Sequence, residues 1–236
     1  MLRTLFKKLH ARRPAWSISA WVSLLLGLLL AAGCATQLGG PASGALSGPL
    51  SGPYSDAEAM QVAEAMMQSS FNARGQAGLD RLKQDDAQAS CSLLRPGSVL
   101  PKATAERIER ANFASIRFPA KLQGDWREGE RIAQSGVGKQ FSDDPRLPAG
   151  GNCYACHQMS KQEISFGTIG PSLLNFGKLR GNSEAIQQYT YGKIWNSQAY
   201  SACSNMPRFG HNGILTEQQI THLVALLLDP ASPVNQ

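Results

Sequence analysis

Residues 150–157 read Gly150-Gly151-Asn152-Cys153-Tyr154-Ala155-Cys156-His157, and the spacing of two thiols and an imidazole in that stretch governs the reading of the whole chain. Two cysteines three positions apart can add to the two vinyl groups along one edge of a haem, and the adjacent histidine then lies under the iron as proximal ligand. A redox dithiol would sit after a strand in a βαβ unit, which this region lacks. A zinc site would want a second Cys or His pair at close spacing, and none follows. Cys153, Cys156 and His157 are therefore read as the attachment points and proximal ligand of one covalently bound haem c.

Such a haem either takes a sixth ligand or keeps one side open. The downstream candidates are Met159, Cys203, Met206, His211 and His222. Met159 follows His157 too closely to reach the opposite haem face. His222 falls in the middle of the last helical pattern. Met206 sits in the irregular run Ser204-Asn205-Met206-Pro207-Arg208-Phe209-Gly210, where Pro207 and Gly210 mark a non-helical turn able to present a thioether. It is taken as the axial ligand, and a His–Met pair raises the reduction potential relative to His–His. Cys203, as a thiolate, and His211 are its competitors. In an oxidising compartment Cys203 is expected instead to pair with Cys91, which would tie the N-terminal half to the Met206 loop. The turn Ile169-Gly170-Pro171-Ser172-Leu173 supplies one further element. A metal-bound histidine donates its other ring N–H, commonly to a carbonyl, and Pro171 is expected to provide that carbonyl.

Upstream, the chain opens with Arg3, Lys7, Lys8, Arg12 and Arg13, then an apolar run from Trp21 to Ala32, then Gly33-Cys34. About a dozen apolar residues fall short of the roughly 20 that span a bilayer, so residues 1–33 read as an export signal. Leu30-Ala31-Ala32-Gly33-Cys34 resembles a bacterial lipoprotein box, which makes Cys34 a candidate for lipidation; ordinary cleavage nearby is the alternative. Residues 34–54 are rich in Gly, Ser, Ala and Pro and read as a flexible linker with a reach of roughly 25 Å. Of the 23 basic residues against 17 acidic, five precede Cys34, so the exported part is close to neutral and nothing points to a nucleic-acid partner.

The remainder reads as all-α. Ser55 with Glu58 forms a capping box before an amphipathic stripe of Ala57, Met60, Val62, Ala63, Met66 and Met67, read as a packing face. A polar segment covers residues 81–90, Pro96-Gly97 breaks the chain, and Thr104–Ser115 forms a helix with Ile108 and Ala111 inward. These make a helical extension, 55–123, that wraps or abuts a haem domain, 124–236. In that domain Asp125 caps a helix from Trp126 to about Gln134. Thr216 caps a last helix with Ile220, Leu223, Val224, Leu227 and Leu228 inward, and Asp229-Pro230 stops it.

Together these motifs resemble class I cytochromes c. The segments EISFGTIGPSLLNFGKLRG (163–181), YGKIWNSQAYSACSNMPRFGHNGILTEQQI (191–220) and LLDPASPVN (227–235) are similar more finely to the SoxX family of monohaem subunits. GDWREGERIAQSG (124–136) and QASCS (88–92) extend the likeness over roughly residues 55–235. The resemblance implies a periplasmic electron-transfer subunit with His157 and Met206 on iron, paired as a heterodimer with a SoxA-like cytochrome. That family oxidises thiosulfate by joining it to a cysteine of the SoxYZ carrier, with the catalytic haem on SoxA and a downstream cytochrome as acceptor. A free-standing periplasmic electron carrier is the alternative; the extension is more than such a carrier needs.

Overall fold

The computed structural model describes residues 55–95 and 97–236; the export signal, the linker with Cys34, and Pro96 lie outside the described residues. Seven helices follow in order: α1 (Asp56–Ser70), α2 (Asp86–Ser92), α3 (Lys102–Ala114), α4 (Trp126–Gln134), α5 (Phe176–Arg180), α6 (Glu184–Trp195) and α7 (Glu217–Leu228). Short 3-10 turns lie at Leu79–Leu82, Cys153–Ala155, Ser197–Ala199 and Pro233–Asn235. Among the described residues the β pairing is limited to an isolated bridge between Arg74 and Ala77.

The core is built on the crossing of α4 and α7. Thr216 caps α7 through a full capping box with Gln219, which satisfies two amides that the first turn leaves unpaired. One side of α7 then buries Ile220, Leu223, Val224 and Leu227, and Leu226 is buried as well. The helices approach backbone to backbone because Gly124 and Gly129 carry no side chain. A Cβ on Gly129 would overlap the His222 carbonyl and stand 2.8 Å from Leu226 Cβ. His222 is half-buried at this crossing and accepts a hydrogen bond on Nδ1 from the Asp125 amide at 2.9 Å, so its ring completes the start of α4.

The chain's last residues close the far end of α7. Asn235, fully buried, donates through Nδ2 to the Leu227 and Asp229 carbonyls at 3.1 and 2.9 Å. Its Oδ1 accepts from the Gly177 and Lys178 amides at 2.9 and 3.2 Å. One side chain thus satisfies the end of α7 and the start of α5.

Three details of the extension differ from the sequence reading. The residues near 81–90 are not simply polar chain, because Asp85 and Gln88 form a capping box and start α2. In α3 Ile108 is buried but Ala111 is exposed; Asn112 turns inward and its Oδ1 accepts from Asn196 Nδ2 at 2.9 Å. The apolar stripe of α1 is not a packing face among the described residues: every residue of α1 is exposed. Helix α6 had no clear signal, since Thr190, Tyr191, Gly192, Ile194 and Trp195 are buried around more than one side and leave no single stripe.

Candidate haem-binding site

The two thiols and His157 sit on one tight turn. Asn152 enters it in the left-handed region at φ 44°, and the Cys156 and His157 amides both donate to the Cys153 carbonyl, at 3.1 and 2.9 Å. The approach is fastened to the end of α4: Gly151 N donates to Ile132 O at 2.8 Å and Asn152 N to Ser135 O at 2.9 Å. Tyr154 is buried beneath the turn and its hydroxyl donates to Glu130 Oε1 at 2.9 Å. Before haem is attached, burial pushes the Cys153 thiol up to about 12.

His157 is oriented from the other direction. Its Nδ1 lies 2.7 Å from the Pro171 carbonyl, which can only accept. The proton is therefore on Nδ1, and Nε2 presents a lone pair for a metal. Gly170 lies flat against the imidazole, and a Cβ there would overlap the ring. The glycine before Pro171 is thus a steric requirement as well as a turn signal.

Met206 is half-buried, packed against the main core, in a loop held from several directions. Ser197 Oγ donates to its carbonyl at 2.5 Å, and its amide donates to Ser204 Oγ at 3.3 Å. Cys203, three residues earlier, is joined to Cys91 of α2 by a disulfide, with Cα atoms 5.6 Å apart, so its sulfur is not a free thiolate. Arg208, two residues later, is buried and pairs with Asp85 at 2.6 Å. Burial alone would raise the Asp85 carboxyl, but the Gln88 amide and Arg208 together hold it below the usual carboxylate range. The short helix α2 is therefore fastened at both ends to the Met206 loop. Helix α3 adds a third hold: Asn196, fully buried, donates to Asn112 Oδ1 and to Ser115 Oγ, and Glu109 accepts from the Ala202 amide at 3.2 Å. Of the other ligand candidates, Met159 is buried in the core, and His211 is exposed with Nδ1 3.3 Å from Ser115 Oγ.

Asp85, Arg208, Asn196 and Asn235 carry much of this positioning and were not singled out from sequence. Only Arg208 had a visible signal, a charge set between Pro207 and Phe209 in an otherwise uncharged loop. The residues present fit a haem. Besides the two thiols and Nε2 of His157, the Tyr191 hydroxyl, Trp195 Nε1 and Arg208 Nη1 are buried donors with no partner among the described residues. The carboxylates of a haem are acceptors of the kind such donors lack.

A family model for cytochrome c matches residues 137–229, from just after α4 to the cap of α7. A protein of Aquifex aeolicus (strain VF5), described as an uncharacterized lipoprotein, is 37% identical over 163 residues, which cover 65% of this chain and 73% of that one.

Proposed function

We propose that this chain, whose residues 137–229 match the cytochrome c family model, is the electron-transfer subunit of a SoxAX-type L-cysteine S-thiosulfotransferase. The family supplies the coarse function, electron transfer through a covalent haem c held by Cys153 and Cys156. Bound there, a haem supplies one-electron exchange at its iron. The chain's own residues prepare that exchange. Pro171 keeps the His157 proton on Nδ1, and Gly170 lets the ring lie flat against the backbone. Met206 is proposed as the second axial ligand, in the loop that α2 and α3 hold.

The observation that carries the finer reading is the extension itself. Its disulfide and its Asp85–Arg208 ion pair grip the proposed ligand loop. A loop held this way favours a closed, six-coordinate relay over a site that binds substrate. In the proposed reaction thiosulfate and a carrier cysteine thiol on SoxYZ form a sulfur–sulfur bond. The thiol proton is released and two electrons leave. Bond formation belongs to the haem of a SoxA-like partner, and this chain passes the electrons singly to a downstream cytochrome. The name of the Aquifex aeolicus relative supports a periplasmic chain tethered by a lipid on Cys34. That tether also suits a second reading, a free-standing membrane-anchored carrier.

Two measurements test these readings. Met206→Ala should leave haem attached but abolish the long-wavelength band of methionine-ligated ferric haem and lower the potential; an unchanged spectrum rejects Met206 as ligand. Mixed with a SoxA-like cytochrome and SoxYZ, the haem should become reduced when thiosulfate is added. A chain that neither binds SoxA nor is reduced is a free-standing carrier.

A further inference from the structure

The buried arginine of the Met206 loop has more hydrogen-bonding capacity than the chain fills. The Arg208 side chain is 8% exposed, and a guanidinium so far from water needs acceptors on each of its arms. Asp85 supplies one by dividing its carboxylate. Oδ1 accepts from the Gln88 amide at 2.9 Å and caps α2, while Oδ2 accepts from Arg208 Nη2 at 2.6 Å. Nη1 is buried and has no partner among the described residues. The loop carrying it crosses the end of α6. There the Gly210 and His211 amides both donate to the Trp195 carbonyl at 3.1 Å, and Gly210 lies directly against the Trp195 ring. Trp195 Nε1 and the hydroxyl of Tyr191, whose ring stacks on Trp195 at 5.8 Å, are the other two buried donors without a partner. All three donors thus belong to α6 and the loop laid over it.

Two titratable groups share the surroundings of this guanidinium. Although burial opposes it, the Gln88 amide and Arg208 keep the Asp85 carboxyl below the usual carboxylate range, so it is ionised at neutral pH. Burial, and after it the charge of Arg208, hold the His211 imidazole below its ordinary range, so it is neutral there. Asp85 is therefore the counter-charge of Arg208. The neighbouring Asp86 faces Arg107 instead, in a solvent-exposed pair.

We propose that Asp85, a residue of the extension, sets the reduction potential of the haem by neutralising Arg208, whose Nη1 arm binds a haem carboxylate. Reduction adds one negative charge to the haem, so an unopposed buried guanidinium on its carboxylate favours the reduced form. The Asp85 carboxylate offsets that charge and favours the oxidised form. Hydrogen bonding and burial are among the means by which a protein tunes a haem. Interior charges are weakly screened, whereas Asp85 is 40% exposed and its effect is reduced accordingly. The extension then acts on the haem electrostatically as well as by holding the Met206 loop. The inference rests on a haem held by Cys153, Cys156 and His157, and not on the sulfur-oxidation reading.

The experiment is an equilibrium redox titration of the haem-loaded chain. Asp85→Asn removes the charge and keeps the cap of α2, because Asn caps a helix about as well as Asp. It should shift the reduction equilibrium toward reduced haem by about threefold to tenfold, with the absorption spectrum unchanged. Asp85→Glu, which restores the charge, should bring the potential back toward wild type. Asp86→Asn makes the same change of net charge one residue away and should leave the potential where it was. Arg208→Lys keeps the charge but loses the second arm, and should shift the haem-carboxylate bending band in resonance Raman spectra. That measurement still decides if Asp85→Asn accumulates no haem. An Asp85→Asn potential equal to wild type, an equal shift in Asp86→Asn, or an unmoved carboxylate band in Arg208→Lys would overturn the proposal. Rejection of Met206 as iron ligand would leave all three expected results standing.

Discussion

Asn235 shows how much one residue near a chain end can decide. Its amide reaches the last carbonyls of α7 and the first amides of α5, and Asn235 itself is fully buried. Removing it takes the partner from these backbone groups, at about 1–3 kcal/mol for each one that burial keeps from water. Asn235→Leu should therefore lower the midpoint of denaturant unfolding by an amount equivalent to about 3 kcal/mol, with the slope unchanged. A loss below about 0.5 kcal/mol would mean that the two helix ends find other partners. Nothing in the sequence around Asn235 announces this role, because it depends on two segments that meet only in the folded chain.

At the scale of elements, the α4–α7 crossing was legible in advance and its closeness was not. Caps at Asp125 and Thr216 and the stripe through Leu228 mark both helices in the sequence. That Gly129 lies directly against His222 and Leu226 is a property of the packed pair. Gly129→Ala would favour the isolated helix by up to about 1 kcal/mol. The overlap in the packed pair should cost about 1–3 kcal/mol. A net fall in thermal midpoint is the expected outcome, and a rise would show that the crossing yields. Helix α6 escaped the sequence reading for a related reason: periodicity detects a helix with one wet side, and α6 is buried on more than one.

For the whole molecule, the Cys91–Cys203 disulfide closes a sequence separation of 112 residues between the extension and the Met206 loop. Such a cross-link limits the unfolded chain and typically contributes about 2–4 kcal/mol. Cys91→Ser with Cys203→Ser should lose about that much global stability. With Met206 as the proposed iron ligand, it should also loosen that ligand, seen as easier displacement by added imidazole. Lost stability with unchanged imidazole affinity would assign the disulfide to the fold alone.

The haem turn was legible from residues 150–157 because its chemistry is local: two thiols and an imidazole at fixed covalent spacing need no tertiary information to be recognised. Helix caps, the proline stop after α7 and the left-over cysteine pair are likewise local or countable. Only the tertiary structure decided which groups hold that site in place. The Pro171 carbonyl on Nδ1 of His157 is expected from the Gly-Pro turn, whereas the Asp85–Arg208 half of the fastening of α2 to the Met206 loop, and Asn196 and Asn235 at helix ends, join residues distant in sequence. Their hydrogen bonds exist only once burial has removed water as the competing partner. The same is true of α1, whose stripe looked like core in the sequence and is exposed among the described residues, because an amphipathic pattern specifies a face to be buried and not what buries it.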